Sequence, residues 1–225
     1  RKTDEYTATQ MLPAHHGKEL SLPRLAYRVR ALSGAHAAAV LVIVLSGIAA
    51  LWTGLRTPAP MIGDEVTHCY LLKNQAKQLP VPTVIADIPV GWGDRAETRC
   101  YPHVFGWHYF GALIYRITGG SFGAVQVWHT LFWIQFLLVA YLLARRRGGN
   151  QSYASALYLV LLASLPAAII FSVAFYQDVP AAAQVLTAFY LLLYGRRWWG
   201  LMFLLLAMAI KETAFLFVPV FVLLW

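Results

Sequence analysis

The chain has 225 residues, of which 59% are hydrophobic and 12% charged, with a mean hydropathy of +0.57; soluble domains carry about a quarter charged residues, so a soluble globular protein is excluded. The net charge of +8 and the pI near 9.7 do not mark a nucleic-acid binder. Lys and Arg gather at the ends of apolar runs instead, which is the signature of membrane topology.

Residues 1–34 are polar and basic, with Lys18, Arg24, Arg28 and Arg30 just ahead of the first apolar run. They read as a cytoplasmic tail. No cleavage pattern follows a short apolar core at the start, so residues 35–55 are expected to be kept as a span, and the positive-inside bias places Thr57 onward outside. Residues 57–121 are too polar to lie in a bilayer and form an external loop bearing Asp64, Glu65, Asp87, Asp94 and Glu97. Within it, residues 64–79 have helical spacing and are closed by Pro80 and Pro82. The aromatic-rich residues 102–117 suit a short helix lying at the membrane surface.

Charge settles that last choice. Residues 123–144 form a clear span that runs into Arg145-Arg146-Arg147-Gly148-Gly149, which belongs inside; were residues 102–117 to cross the membrane, those arginines would lie outside. Further spans are expected at 153–175, 179–194, 198–210 and 213–225, with Gly195-Arg196-Arg197 inside and both Tyr176-Gln177-Asp178 and Lys211-Glu212-Thr213 outside. The fold class is therefore all-α: a polytopic transmembrane helical bundle with a large extracytoplasmic first loop bearing juxtamembrane helices.

One topology thus brings Asp64, Glu65, Asp178, Lys211 and Glu212 to a single external face. Residues 198–210 make only about 20 Å of helix at 1.5 Å per residue, against a hydrocarbon core of about 30 Å. Short helices leave a recess floored by these charges, and recessed ionisable groups point to function. The chain stops at Trp225 within an apolar run, so a longer protein is expected.

The ordered set resembles the GT-C superfamily of integral-membrane glycosyltransferases. It comprises a tail, a first span, Asp64-Glu65 in a large external loop, an aromatic helix after Tyr101-Pro102, a span ending in Leu142-Leu143-Ala144-Arg145-Arg146-Arg147, then Tyr176-Gln177-Asp178 and Ile210-Lys211-Glu212-Thr213. The closest sub-patterns are those of protein mannosyltransferase and aminoarabinose transferase-like enzymes. Asp64-Glu65-Val66-x-His68 followed by Gln75-Ala76 also resembles the dolichyl-phosphate-glucose glucosyltransferases. The single proline of Tyr101-Pro102-His103 departs from the pair that many relatives carry, which leaves the subfamily open.

The resemblance implies inverting transfer of a sugar from a polyprenyl-phosphate donor to an acceptor hydroxyl on a protein, lipid or glycan. Such chemistry needs a base, a pocket for an oxocarbenium-like transition state and a cation for the leaving phosphate. It assigns the base to Asp64, which at the start of a helix also reads as an N-cap, with Glu65 capping, orienting or binding the acceptor. His68, four residues on along a helix face, positions acceptor or base. Asp178 reads equally as an N-cap or a second site carboxylate. Lys211 meets the donor phosphate or neutralises Glu212. Arg99, Tyr101 and His103 contact phosphate or acceptor, or face lipid headgroups.

No metal is expected to be required, and no nucleic-acid partner; a disulfide between Cys69 and Cys100 stays open. Alanine- and arginine-rich spans favour a bacterial inner membrane over the endoplasmic reticulum. The competing classes are a lipid or sugar transporter and a non-catalytic membrane assembly subunit. The topology has a direct test: alkaline phosphatase fused after Asp87 is expected to be active, and fused after Gly149 inactive. The reverse pattern would invert every assignment above.

Overall fold

The computed structural model describes residues 22–56, 64–89, 96–100, 104–148 and 152–225. Most of the expected tail, Asp94, Tyr101 and His103 lie outside the described residues. Among those described the chain is mostly helical: α1 (Leu22–Arg56), α2 (Asp64–Gln78), a hairpin of β1 (Ile85–Pro89) and β2 (Ala96–Cys100), α3 (Gly106–Ile117), α4 (Phe122–Gly148), α5 (Ser152–Ser164), α6 (Pro166–Val173), α7 (Asp178–Leu193) and α8 (Arg197–Ile210), then a 3₁₀ segment (Glu212–Phe217) and α9 (Val218–Leu224).

Two stretches, Gly34–Arg56 and Phe122–Arg146, are long and apolar enough to cross a membrane; a third exists if the bent pair α5–α6 is one span. The expected continuous run 153–175 is corrected here. Pro166 lacks an N–H and its ring crowds the preceding turn, so the helix breaks at Leu165, which is extended (φ −62°, ψ 132°), and α6 leaves α5 at 68°. The three C-terminal runs form apolar helices shorter than a bilayer, the last beginning as 3₁₀.

The all-α expectation holds in the main, with one addition among the described residues. The loop contains an antiparallel hairpin pairing Ile85 with Cys100 and Pro89 with Ala96. The wholly buried Gln75 of α2 builds the entry to it: its Nε2 donates to Val81 O (2.8 Å) and its Oε1 accepts from Thr83 N–H (2.6 Å). Asn74 Nδ2 donates to Ile85 O nearby. The reversal is tied down from the other side by Arg116 of α3, whose Nη1 donates to Leu79 O (3.1 Å).

Three apolar clusters fill the interior. Ile43, Trp133, Leu137 and Leu159 join α1, α4 and α5. Leu72, Trp107, Phe175 and Ile210 join α2, α3, the α6–α7 turn and the end of α8. Leu192, Leu204, Ala207 and Phe221 join α7, α8 and α9. An apolar groove of about 460 Å³ runs between α1 and the α5–α6 pair, lined by Val42, Leu45, Thr53, Ile169 and Val173 among others.

Several polar groups inside this apolar body find partners on neighbouring helices, as a low-dielectric interior favours. Trp133 Nε1 donates to Ser46 Oγ (2.9 Å), and Gln135 bonds both Gln184 and Thr187 across the α4–α7 contact. The broken helix is served the same way. Gln126 Nε2 of α4 donates to Val173 O (3.0 Å), while His129 Nε2 lies 3.1 Å from Phe171 O.

Gly106 sets the position of α3. A Cβ added there would lie 2.2 Å from the carbonyl oxygen of Ala209, below any contact a side chain tolerates. The first residue of α3 thus rests directly on the backbone at the end of α8, the residue pair that precedes Lys211. Gly106→Ala is expected to cost about 1–3 kcal/mol, read as a lower melting temperature of the detergent-purified protein. An unchanged melting temperature would show that the contact is not tight.

Candidate functional site

Glu65, His68, Asp178 and Lys211, which the sequence singles out, border the second cluster. α2 starts at Asp64, so Glu65 lies in its first turn, where the helix dipole favours negative charge. Glu65 Oε1 accepts the backbone N–H of Phe175 at 2.7 Å. That amide needs a partner because α6 ends at Val173 and Ala174 turns extended (φ −73°, ψ 138°). A carboxylate at position 65 thereby fixes a turn 110 residues later in the chain.

Three residues further along α2, the His68 ring is 3% exposed, and its Nδ1 lies 2.8 Å from Nε2 of His108, also 3% exposed. The two rings are nearly parallel, 11° apart, and Tyr176 meets His68 edge-on at 5.4 Å. Gln177 Nε2 approaches His108 Nδ1 at 3.5 Å. Three elements converge on this pair: α2, α3 and the turn that opens α7.

Asp178 is the first residue of α7, and the N-cap position belongs to Gln177, which makes no side-chain capping bond. The N-cap reading of Asp178 is therefore corrected. Its Oδ1 instead takes the ammonium of Lys211 at 2.5 Å, with the two side chains 42% and 22% exposed. Lys211 can reach it because it is the extended C-cap residue of α8 (φ −147°, ψ 128°), where the helix gives way to the 3₁₀ segment. Lys211 thus has Asp178 as its partner. Glu212 opens the 3₁₀ segment beside it, with its Oε2 buried.

Beneath these groups lies an aromatic floor. Trp107 is wholly buried, stacks on Trp128 at 4.0 Å and on Phe175 at 5.3 Å, and meets His129 at 5.7 Å. Arg99 lies on β2 opposite Ala86; its side chain and that of Asp64 lie outside the described residues, as do Tyr101 and His103. Among the described residues no three or more His, Cys, Asp or Glu side chains gather as metal ligands would.

The basic residues mark the opposite end. Arg146, near the C-terminus of α4, sits over the Tyr194 ring at 4.5 Å, whereas Val125 and Trp128, near its start, belong to the cluster under the site. About 30 Å of α4 separates the two, at 1.5 Å per residue.

No family model, no curated protein and no solved structure matches the chain. What the site can do follows from its own groups. It offers carboxylates to accept a proton or a hydroxyl hydrogen bond, imidazoles to orient them, and the Lys211 ammonium in its pair with Asp178.

His108 and Gln177 carry no motif and were not singled out. The signal for His108 was its place on the 107, 108, 111, 112 face, where Trp107, Gly111 and Ala112 are buried around it. Gln177 had only its position beside Asp178.

Cys69 and Cys100 are both free, the first buried and the second exposed. Burial, reinforced by the negative charge of Glu65, pushes the Cys69 thiol up to about 12 from 9.0. The folded protein therefore holds this proton between about pH 9 and 12, where an unfolded chain loses it, so stability falls as pH rises through that window. At pH 8, maleimide is expected to add one equivalent, at Cys100, and a second only after denaturation. Two equivalents on the folded protein, counted by intact mass, would contradict the burial of Cys69.

Proposed function

We propose that the protein is a GT-C-type glycosyltransferase, a hexosyl- or pentosyltransferase that moves a sugar from a polyprenyl-phosphate donor to an acceptor hydroxyl, with inversion, on the extracytoplasmic side of a membrane. One observation carries the reading: Glu65 bound to Phe175 N–H at the head of α2, and Lys211 paired with Asp178, border one cluster built from segments far apart in the chain. A structural subunit needs no such gathering. A carrier coupled to ions or protons places carboxylates within its spans, and neither residues 34–56 nor α4 contains an Asp or Glu.

In this reading Asp64 takes the proton of the acceptor hydroxyl, and the acceptor oxygen forms its bond to the anomeric carbon from the face opposite the phosphate. The bond from that carbon to the phosphate oxygen breaks, and polyprenyl phosphate leaves with the electron pair. Lys211 meets the charge that develops on the phosphate, acting as a point cation. Glu65 orients the acceptor while holding the turn before α7, and His68, Asp178 and Glu212 complete the binding surface. Arg99, Tyr101 and His103 belong to the same reading as contacts of phosphate or acceptor. No metal is required in this scheme.

Two further features support the reading. The apolar groove between α1 and α6 rises to Thr53 and Val173, two residues before the amide that Glu65 holds; it is the lane for the donor's isoprenoid chain. The arginines lie about 30 Å from the site along α4, and the positive-inside bias then favours the outer face for the site. The short helices α7 to α9 would complete a polytopic bundle as partial crossings, in a bacterial inner membrane.

The test is transfer from radiolabelled polyprenyl-phosphate hexoses and pentoses by the protein in nanodiscs. Asp64→Asn is expected to lower kcat by about 10²–10⁴ with the protein still inserted, and Lys211→Met to raise the donor KM. Retained turnover in Asp64→Asn removes the base assignment. A wild-type protein that transfers none of these sugars overturns the function.

A further inference from the structure

The end of α4 away from the site carries charge that the protein does not balance. Arg145 and Arg146 close the membrane-length stretch Phe122–Arg146, and Arg196 and Arg197 lie where α7 turns into α8. All four side chains are exposed, and among the described residues none pairs with a carboxylate. The sequence gives the reason: no Asp or Glu stands between Glu97 and Asp178, or between Asp178 and Glu212. Residues 1–34 hold six basic and three acidic residues, so they add positive charge and supply no counterweight.

The two basic pairs meet through tyrosine. Gly195, at φ +73°, makes the tight turn after α7, and the N–H of Arg196 closes it on Leu191 O (2.9 Å), so Tyr194, Arg196 and Arg197 share one turn. Arg146 sits over the Tyr194 ring at 4.5 Å, Tyr194 packs on Tyr190 at 4.6 Å, and the charge of Arg145 reaches Tyr190 as well. A ring holds a guanidinium in place but supplies no oxygen. The N–H donors of Arg146 therefore keep the fork that matches a phosphate, with no carboxylate among the described residues to fill it.

The surroundings suit a lipid better than a soluble anion. Trp198 and Trp199 follow Arg197 directly and are 76% and 56% exposed, and Leu193 and Tyr194 are exposed just before the turn. Rings so exposed at the end of a membrane-length helix face the headgroup level of a bilayer. We propose that Arg145, Arg146, Arg196 and Arg197 form a binding site for the phosphate of an anionic phospholipid, which bridges the end of α4 to the α7–α8 turn while its acyl chains run along the exposed tryptophans. A negative headgroup offsets the repulsion among four like charges, and basic pockets between membrane helices take such lipids. The inference rests on the chain lying in a membrane and is independent of the glycosyltransferase reading.

The experiment is native mass spectrometry of the full chain in a neutral detergent, with dioleoyl phosphatidylglycerol, dioleoyl phosphatidylcholine or glycerol 3-phosphate added, beside the melting temperature. The two lipids share their chains, and glycerol 3-phosphate offers the headgroup charge alone. Phosphatidylglycerol is expected to be retained about tenfold more than phosphatidylcholine and to raise the melting temperature, as a ligand of the folded state does; glycerol 3-phosphate should do neither. Arg146→Gln/Arg197→Gln should remove that preference, since each basic group near an anionic surface contributes about fivefold. Arg56→Gln should leave it unchanged, because Arg56 also sits over a ring, that of Trp52 at 3.9 Å, but stands at the other end of the long helices. Arg146→Lys and Tyr194→Leu keep all four charges, and each should weaken retention about threefold by losing the fork or its support.

Equal retention of the two lipids, or a preference that the double arginine variant keeps, overturns the site. Competition by glycerol 3-phosphate at the lipid's own concentration overturns the lipid as occupant and puts a soluble anion in its place. Should the double variant fail to fold, the two charge-conserving variants decide: full retention in both overturns the proposal, and weakened retention in either supports it.

Discussion

A backbone group released by a broken helix in an apolar body has to find its partner within the protein. That requirement organises this molecule. The break at Pro166 and the end of α6 release the carbonyls of Phe171 and Val173 and the amide of Phe175, and three side chains from other elements answer them: His129, Gln126 and Glu65. Two of these come from the long span α4, the third from a helix outside it. The irregular stretch between α6 and α7 is therefore held from both sides, and the residues that follow it are presented in a fixed place.

The same stretch supplies the site. Tyr176 meets His68, Gln177 meets His108, and Asp178 meets Lys211. Each consecutive residue thus contacts a different element: α2, α3 and the end of α8. The arrangement depends on close backbone approach at Gly106, which lets α3 rest on Ala209 and brings the start of that helix beside the lysine turn. Glu65 has a double position here, as a carboxylate on the site's rim and as the acceptor for a buried amide. Its replacement would disturb both, so a loss of function at Glu65 says less about chemistry than one at Asp64.

Much of the helical plan was readable because length and apolarity report directly on burial. The two helices long enough to cross a membrane, the helix closed by Pro80, and the short helix ending at Ile117 all carry such signals. Pro166 was also visible, but a proline inside a long apolar run is tolerated in membrane helices, so composition alone did not break the run. The hairpin was missed because its strands are short and exposed, with Pro89 inside one of them; its marks were the β-branched Thr83-Val84-Ile85 and the glycines Gly91 and Gly93. The nearness of Asp178 and Lys211 followed from the order of the apolar runs. Their partners did not, since whether Lys211 turns to Asp178 or to its neighbour Glu212 depends on the extended backbone at the α8 terminus, which no local pattern records.

The ion pair between α7 and α8 has a consequence for anything negative that comes to the rim. Taken together, Lys211 and Asp178 are electrically neutral, so an arriving anion meets no vacant cation. It must exchange places with a carboxylate already seated at 2.5 Å. Once displaced, that carboxylate repels the newcomer unless it gains a proton or swings toward solvent, which its 42% exposure permits. Any occupancy and release there would be tied to the motion of one short side chain at the mouth of a helix.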